Sequence, residues 1–141
     1  MADMSAPPTA KASGSLSPAF WLAFAAINAC LAVIAGAFGA HLVPDFRTRD
    51  WLRTGSDYAL LHSLAILVCI ALRAHLGPAR KAALWAFGLG IVCFSGALYA
   101  LAAGAPRVIT AFAPIGGLGL ISGWILLALA AFQRGKADRG T

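Results

Sequence analysis

The sequence predicts an all-α integral membrane protein, a bundle of four spanning helices. Three observations carry that prediction. Of 141 residues, 60% are hydrophobic and only 11% are charged, which leaves too little polar material to coat a water-soluble globule. Four apolar runs lie at about 18–41, 57–76, 80–104 and 108–132. At about 1.5 Å of rise per residue, each can cross a hydrocarbon core roughly 30 Å thick. Finally, the Lys and Arg residues fall between or beyond these runs instead of forming one stripe, so the net charge of +6 reads as membrane orientation and not as nucleic-acid binding.

Taken in order, residues 1–16 are rich in Ala, Ser, Pro and Gly, cannot bury a core, and read as a disordered N-tail. Residues 17–132 form the transmembrane domain and 133–141 a basic, frayed C-tail. Ser17-Pro18 has the form of an N-cap followed by Pro at the first helical position. A secretory signal peptide is the alternative for this region, but the charge-free run at 19–41 exceeds the roughly 7 to 15 apolar residues of such a core. On a helix, Asn28, Ala32, Ala35 and Gly39 fall within about 60° of one another, a small-residue side that lets a neighbour approach closely.

Residues 42–56 read as a polar connection at the headgroup level, with Arg47, Arg49 and Arg53 set against Asp45 and Asp50. Ser56 and Asp57 are positioned to cap the second span, and Arg73 near its end to snorkel. Gly77-Pro78 and Gly104-Ala-Pro106 are turns short enough to make spans two, three and four antiparallel neighbours. In the fourth span Pro114 is expected to free the carbonyl of Thr110 and kink the helix, while Gly116-Gly117 and Gly119-x-x-x-Gly123 offer flat packing faces, as Gly36 and Gly96 do on earlier spans.

The N-tail, the turn at 73–81 and the C-tail hold Lys11, Arg73, Arg80, Lys81, Arg134, Lys136 and Arg139, against Arg47, Arg49, Arg53 and Arg107 on the other side. The positive-inside rule therefore predicts cytoplasmic termini. Counted from the outer ends, Tyr58, His62, Ser95, Tyr99, Pro114 and Gly116-Gly117 come within roughly 15 Å of the outer face, with His41 at the lip. This cluster is the candidate ligand or helix-docking site. Tyr58 with His62, and Ser95 with Tyr99, are i, i+4 pairs that each share a helix face.

Four motifs, Gly36-Ala-Phe-Gly-Ala-His41, Tyr58-x-x-x-His62, Phe94-Ser-Gly-Ala-Leu-Tyr99 and Pro114-Ile-Gly-Gly117 with Gly123-Trp124, resemble the YgdD-like family of small bacterial inner-membrane proteins, which has eukaryotic transmembrane relatives. The resemblance covers about 18–132 and implies four spans in the inner membrane. It implies no activity. Asp57 before the Tyr and Ala113 before Pro114 depart from the family pattern.

Several chemistries are disfavoured. There is no Glu, and the five carboxylates are Asp3, Asp45, Asp50, Asp57 and Asp138, so paired-carboxylate catalysis inside the membrane is excluded. Cys30, Cys69 and Cys93 stand singly in three runs without metal spacing and read as neutral packing residues. A haem or metal would need imidazoles at one height, and His41 and His62 are offset by about 7 Å, so no cofactor or metal is expected. His62 is expected to bond Tyr99, Ser95 or a carbonyl near Pro114, and Asn28 to bond across to another helix. The sequence thus points to a non-enzymatic accessory or assembly subunit in the lipid bilayer, joined to a membrane-protein partner or to itself and not to nucleic acid. The alternative is a carrier or channel that binds a quinone, lipid or proton at the outer His/Tyr cluster.

Overall fold

A computed structural model describes residues 17–137, with side chains as far as Gly135. The N-tail at 1–16 and the last four residues of the C-tail lie outside the described residues. The described chain is helical and without strands: α1 (Pro18–Leu42), α2 (Phe46–Ala71), α3 (Arg73–Leu76), α4 (Ala79–Ala102) and α5 (Phe112–Ala137), with a 3₁₀ turn at Arg107–Ala111 that leads into α5. All of these except the single turn α3 are long and apolar enough to span, the 3₁₀ turn and α5 forming one span.

Ser17 caps α1 as the sequence predicts, its hydroxyl accepting from the Phe20 N–H at 3.2 Å. The polar connection is corrected. Only residues 43–45 link α1 to α2, and Asp45, not Ser56 or Asp57, is the N-cap. Its carboxylate accepts from the Thr48 N–H at 2.8 Å and the Thr48 hydroxyl at 2.7 Å, bonds that hold its pKa below the ordinary value. Arg49 folds back onto the Val43 carbonyl at 2.9 Å. The charges at 47–57 mislead because a helix of 26 residues is about 39 Å long, which leaves roughly two turns beyond the hydrocarbon core. Arg53 and Asp57 stay exposed at 3.9 Å from each other, while Leu52, Gly55 and Ser56 on the opposite side are buried.

The other boundaries differ less. The second span ends at Ala71 and not at 76, because the chain makes the separate turn α3 before Gly77 takes φ 51°. The third ends at Ala102, ahead of Gly104 at φ 89°. Pro114 is the third residue of α5, inside its first turn, where a missing N–H costs α5 no intrahelical bond. The C-tail is not frayed from Gln133, since α5 continues to Ala137.

The helices pack as α1 on α2, α2 on α4 and α4 on α5, each pair antiparallel across its short connection. Ala25, Ala32 and Gly39, seven residues apart, bury the α1 side against α2. The middle of the bundle is filled by Ile66 and Cys69 of α2, Phe87 and Ile91 of α4, and Leu120 of α5. Lipid is as apolar as these side chains, so close van der Waals fit and hydrogen bonds, not burial from water, must hold the helices together.

Candidate functional site

Burial along α2 recurs at Leu52, Ser56, Ala59, His62, Ile66 and Cys69, steps of three and four that keep one face inward. This places His62 in the bundle interior, 3% exposed. Its Nδ1 lies 2.7 Å from the Tyr58 carbonyl one turn back. A carbonyl only accepts, so Nδ1 carries the proton. On the other edge of the ring, Trp124 Nε1 of α5 donates to Nε2 at 3.2 Å, and an indole N–H only donates. One neutral tautomer therefore satisfies both contacts. Phe87 packs against both partners, its ring 5.7 Å from His62 and 5.3 Å from Trp124. Tyr58 stacks on His62 at 5.9 Å and meets Phe94 at 4.6 Å.

Nearer the α1–α2 connection, the Tyr99 hydroxyl donates to Ser56 Oγ at 3.4 Å. The ring of Tyr99 packs against Gly55, where an added Cβ would come within 2.7 Å of it. Two further buried hydroxyls, Ser63 on α2 and Ser95 on α4, have no hydrogen-bond partner.

The predicted cluster is therefore a column, not a single layer. His62 is about 24 Å along α2 from Phe46, level with Phe87 and Trp124 near mid-bundle. It bonds neither Tyr99 nor Ser95, and its partner lies ten residues beyond Pro114. His41 is exposed at the end of α1 and Pro114 is exposed at the start of α5, so neither joins the column. Gly116 faces the backbone of Phe94, where a Cβ would collide with main-chain atoms, while Gly117 is in ordinary contact with the Phe94 ring at 3.8 Å. A Cβ added to Gly119 would come within 3.3 Å of the Ala86 carbonyl, and one added to Gly123 would run into the Phe87 ring.

On α1 the small side divides. Ala32 and Gly39 are buried against α2, and a Cβ added to Gly36 would meet Ser56 at 3.5 Å. Asn28 is corrected: its amide donates to the Phe24 carbonyl of its own helix at 3.0 Å, not to a neighbouring helix. At Gly96 an added Cβ would meet nothing within 4 Å. Cys30 is exposed, so it is not a core residue as expected, whereas Cys69 is buried.

The sequence reading missed Trp124, Phe87, Phe94 and Ser56 as members of the site. Trp124 had a usable signal, since an indole N–H in mid-span needs an acceptor and His62 was the span residue best able to supply one. Among the described residues no three His, Cys, Asp or Glu side chains group together as a metal site would require.

A family model described as "Protein of unknown function (DUF423)" matches residues 35–117, which include the His41, His62 and Tyr99 motifs. The chain belongs to the DUF423 family. Among its relatives, the UPF0382 inner membrane protein YgdD of Escherichia coli K12 is 35% identical over 124 residues, covering 81% of this chain and 90% of the relative. The UPF0382 membrane protein YwdK of Bacillus subtilis is 39% identical over 115 residues, covering 77% and 92%. A UPF0382 membrane protein of Haemophilus influenzae is 33% identical over 116 residues, covering 80% and 94%. No solved structure matches the chain. With its four apolar helices, this DUF423 chain is a small multi-pass inner-membrane protein of a family whose activity is unknown.

Proposed function

We propose that the protein is a non-enzymatic membrane subunit that works by assembly, either with a membrane-spanning partner or with further copies of itself, and that both termini are cytoplasmic. Two observations favour this over chemistry at the histidine. Both nitrogens of His62 are engaged inside the bundle, so the ring offers no free base or ligand. The observation that carries the reading is on α1: Ala19, Ala23, Ala26, Cys30, Val33, Ala37 and Ala40 recur at steps of four and three, and all are exposed. Such a seam, on a different side of the helix from the residues packed on α2, fits another helix at close range.

Cys30 provides the test, because it sits within the seam and is exposed. Oxidative or bismaleimide cross-linking in native membranes is expected to join Cys30 to a second copy or to one partner protein. The product is expected to vanish in Cys30→Ser and to be lost in Ala26→Leu, which enlarges an exposed position and leaves the core untouched. A chain that stays monomeric and uncoupled in membranes, or cross-linking indifferent to Ala26→Leu, contradicts the reading. The cytoplasmic orientation is tested separately by the accessibility of a C-terminal tag in sealed spheroplasts.

A further inference from the structure

Between α1 and α4 the bundle is not closed. A cavity of about 520 Å³ runs along the outer half of the interface, lined by Asn28, Leu31 and Phe38 from α1 and Ser95, Gly96 and Tyr99 from α4. Its volume is in the range of about 300–1,000 Å³ usual for small-molecule sites. Leu31 and Phe38 are half-exposed at its mouth, so it opens sideways toward lipid and not toward water. The wall is almost wholly apolar, with three polar groups spread along its length. Tyr99 is about 5 Å below the outer end of α4 and Ser95 about 11 Å below it, while Asn28 lies about 21 Å below the outer end of α1.

Ser95 is the observation that asks for a ligand. Ser95 lies in the wall of this cavity, is 1% exposed and has a hydroxyl with no hydrogen-bond partner, so it meets a ligand once its side chain turns about χ1 toward the cleft. An unpaired hydroxyl in an apolar wall costs on the order of 1–3 kcal/mol, a cost removed when something in the cavity accepts from it. Gly96 beside it leaves open space where a side chain would otherwise fill the cleft.

We infer that this cleft is a binding site for a membrane-dissolved amphiphile, a single apolar chain lying parallel to α1 and α4 with a carbonyl oxygen that accepts a hydrogen bond from Ser95. An ester-linked phospholipid chain and a prenyl quinone both carry that chemistry. The site shares Ser95 and Tyr99 with the column but not His62, and none of its lining residues lies in the outward seam of α1, so it stands or falls independently of the assembly reading.

The test places the purified full chain in vesicles of ether-linked phospholipid, which has no ester carbonyl to compete. Two photoactivatable probes are added in separate arms, a diazirine-bearing diacyl phosphatidylethanolamine and a diazirine-bearing short-chain ubiquinone, and the labelled peptides are mapped by mass spectrometry. Labelling concentrated on cavity-lining residues of α1 and α4 by either probe supports the inference, and the arm that labels names the source. Gly96→Phe, which fills the cleft from a position where a Cβ meets nothing, is expected to abolish that labelling while helicity and thermal stability are retained. Ser95→Ala is expected to weaken it about threefold, the size of one intramembrane hydrogen bond. Labelling spread evenly over the lipid-facing sides of α1 and α5, or unchanged by Gly96→Phe, overturns it.

Discussion

The two sides of the α2–α4 pair meet the same packing problem with different outcomes. On one side α5 lies so close that Gly116 faces the Phe94 main chain, Gly90 faces Leu120 and Gly123 sits beneath Phe87. The His62–Trp124 hydrogen bond ties that contact together. On the other side α1 fits tightly against α2 and touches α4 near the start of α1, where Trp21 covers Gly88 and meets Trp85 at 5.3 Å, but toward the α1–α2 connection it stands away and leaves the cleft. Both sides carry glycines on α4. What differs is whether a ring or a main chain lies opposite, since in lipid only close fit and hydrogen bonding reward approach.

The strongest way to break this contrast is to add bulk to each side in turn. Gly116→Leu has no flexible side chain to push aside and is expected to cost about 3 kcal/mol, at the upper end for overpacking. Gly96→Leu is expected to change stability by less than about 0.5 kcal/mol, as a surface substitution does. Unfolding in mixed micelles, followed by circular dichroism, measures both. Equal losses would mean that the two sides are packed alike.

Removing polar groups sharpens the same contrast. His62→Ala strands the Trp124 N–H and leaves a void, and is expected to cost about 2 kcal/mol. Trp124→Phe, which keeps most of the ring, is expected to cost about 0.6 kcal/mol and to be non-additive with His62→Ala. Ser95→Ala on the cleft side removes a hydroxyl that bonds nothing, so no loss is expected.

The smallest effect lies outside the membrane, at the start of α2. The Thr48 N–H and hydroxyl keep Asp45 below its ordinary value of 3.8, so its capping contribution is complete above that pH and is lost as pH falls through the lowered value. Hydrogen exchange at the Thr48 amide is expected to speed up at neutral pH in Asp45→Ala and to remain slow in Asp45→Asn, which can still accept the bond.

The membrane class, the four spans and their antiparallel order were legible because they follow from run length and short turns. The start of α2 was not, because Arg47, Asp50 and Arg53 read as a polar connection and Asp57 as a cap when they are the exposed face of a helix that overshoots the hydrocarbon. Within the candidate site, Tyr58 and His62 were found together since one helix turn fixes them. The partner of His62 was missed because pairing across helices depends on relative height, and the assumed start of the second span set His62 too far out. The cleft could not be read at all, since a gap belongs to no residue.

The claim at the centre of this account is that His62 is locked between a carbonyl and an indole. Nitrogen-15 NMR of His62 in lipid-reconstituted protein at neutral pH tests it most directly. A neutral ring with its proton on Nδ1 and a bare, hydrogen-bonded Nε2 is predicted, with the Nε2 resonance moving in Trp124→Phe. A proton on Nε2, a doubly protonated ring, or a spectrum indifferent to Trp124→Phe would contradict it.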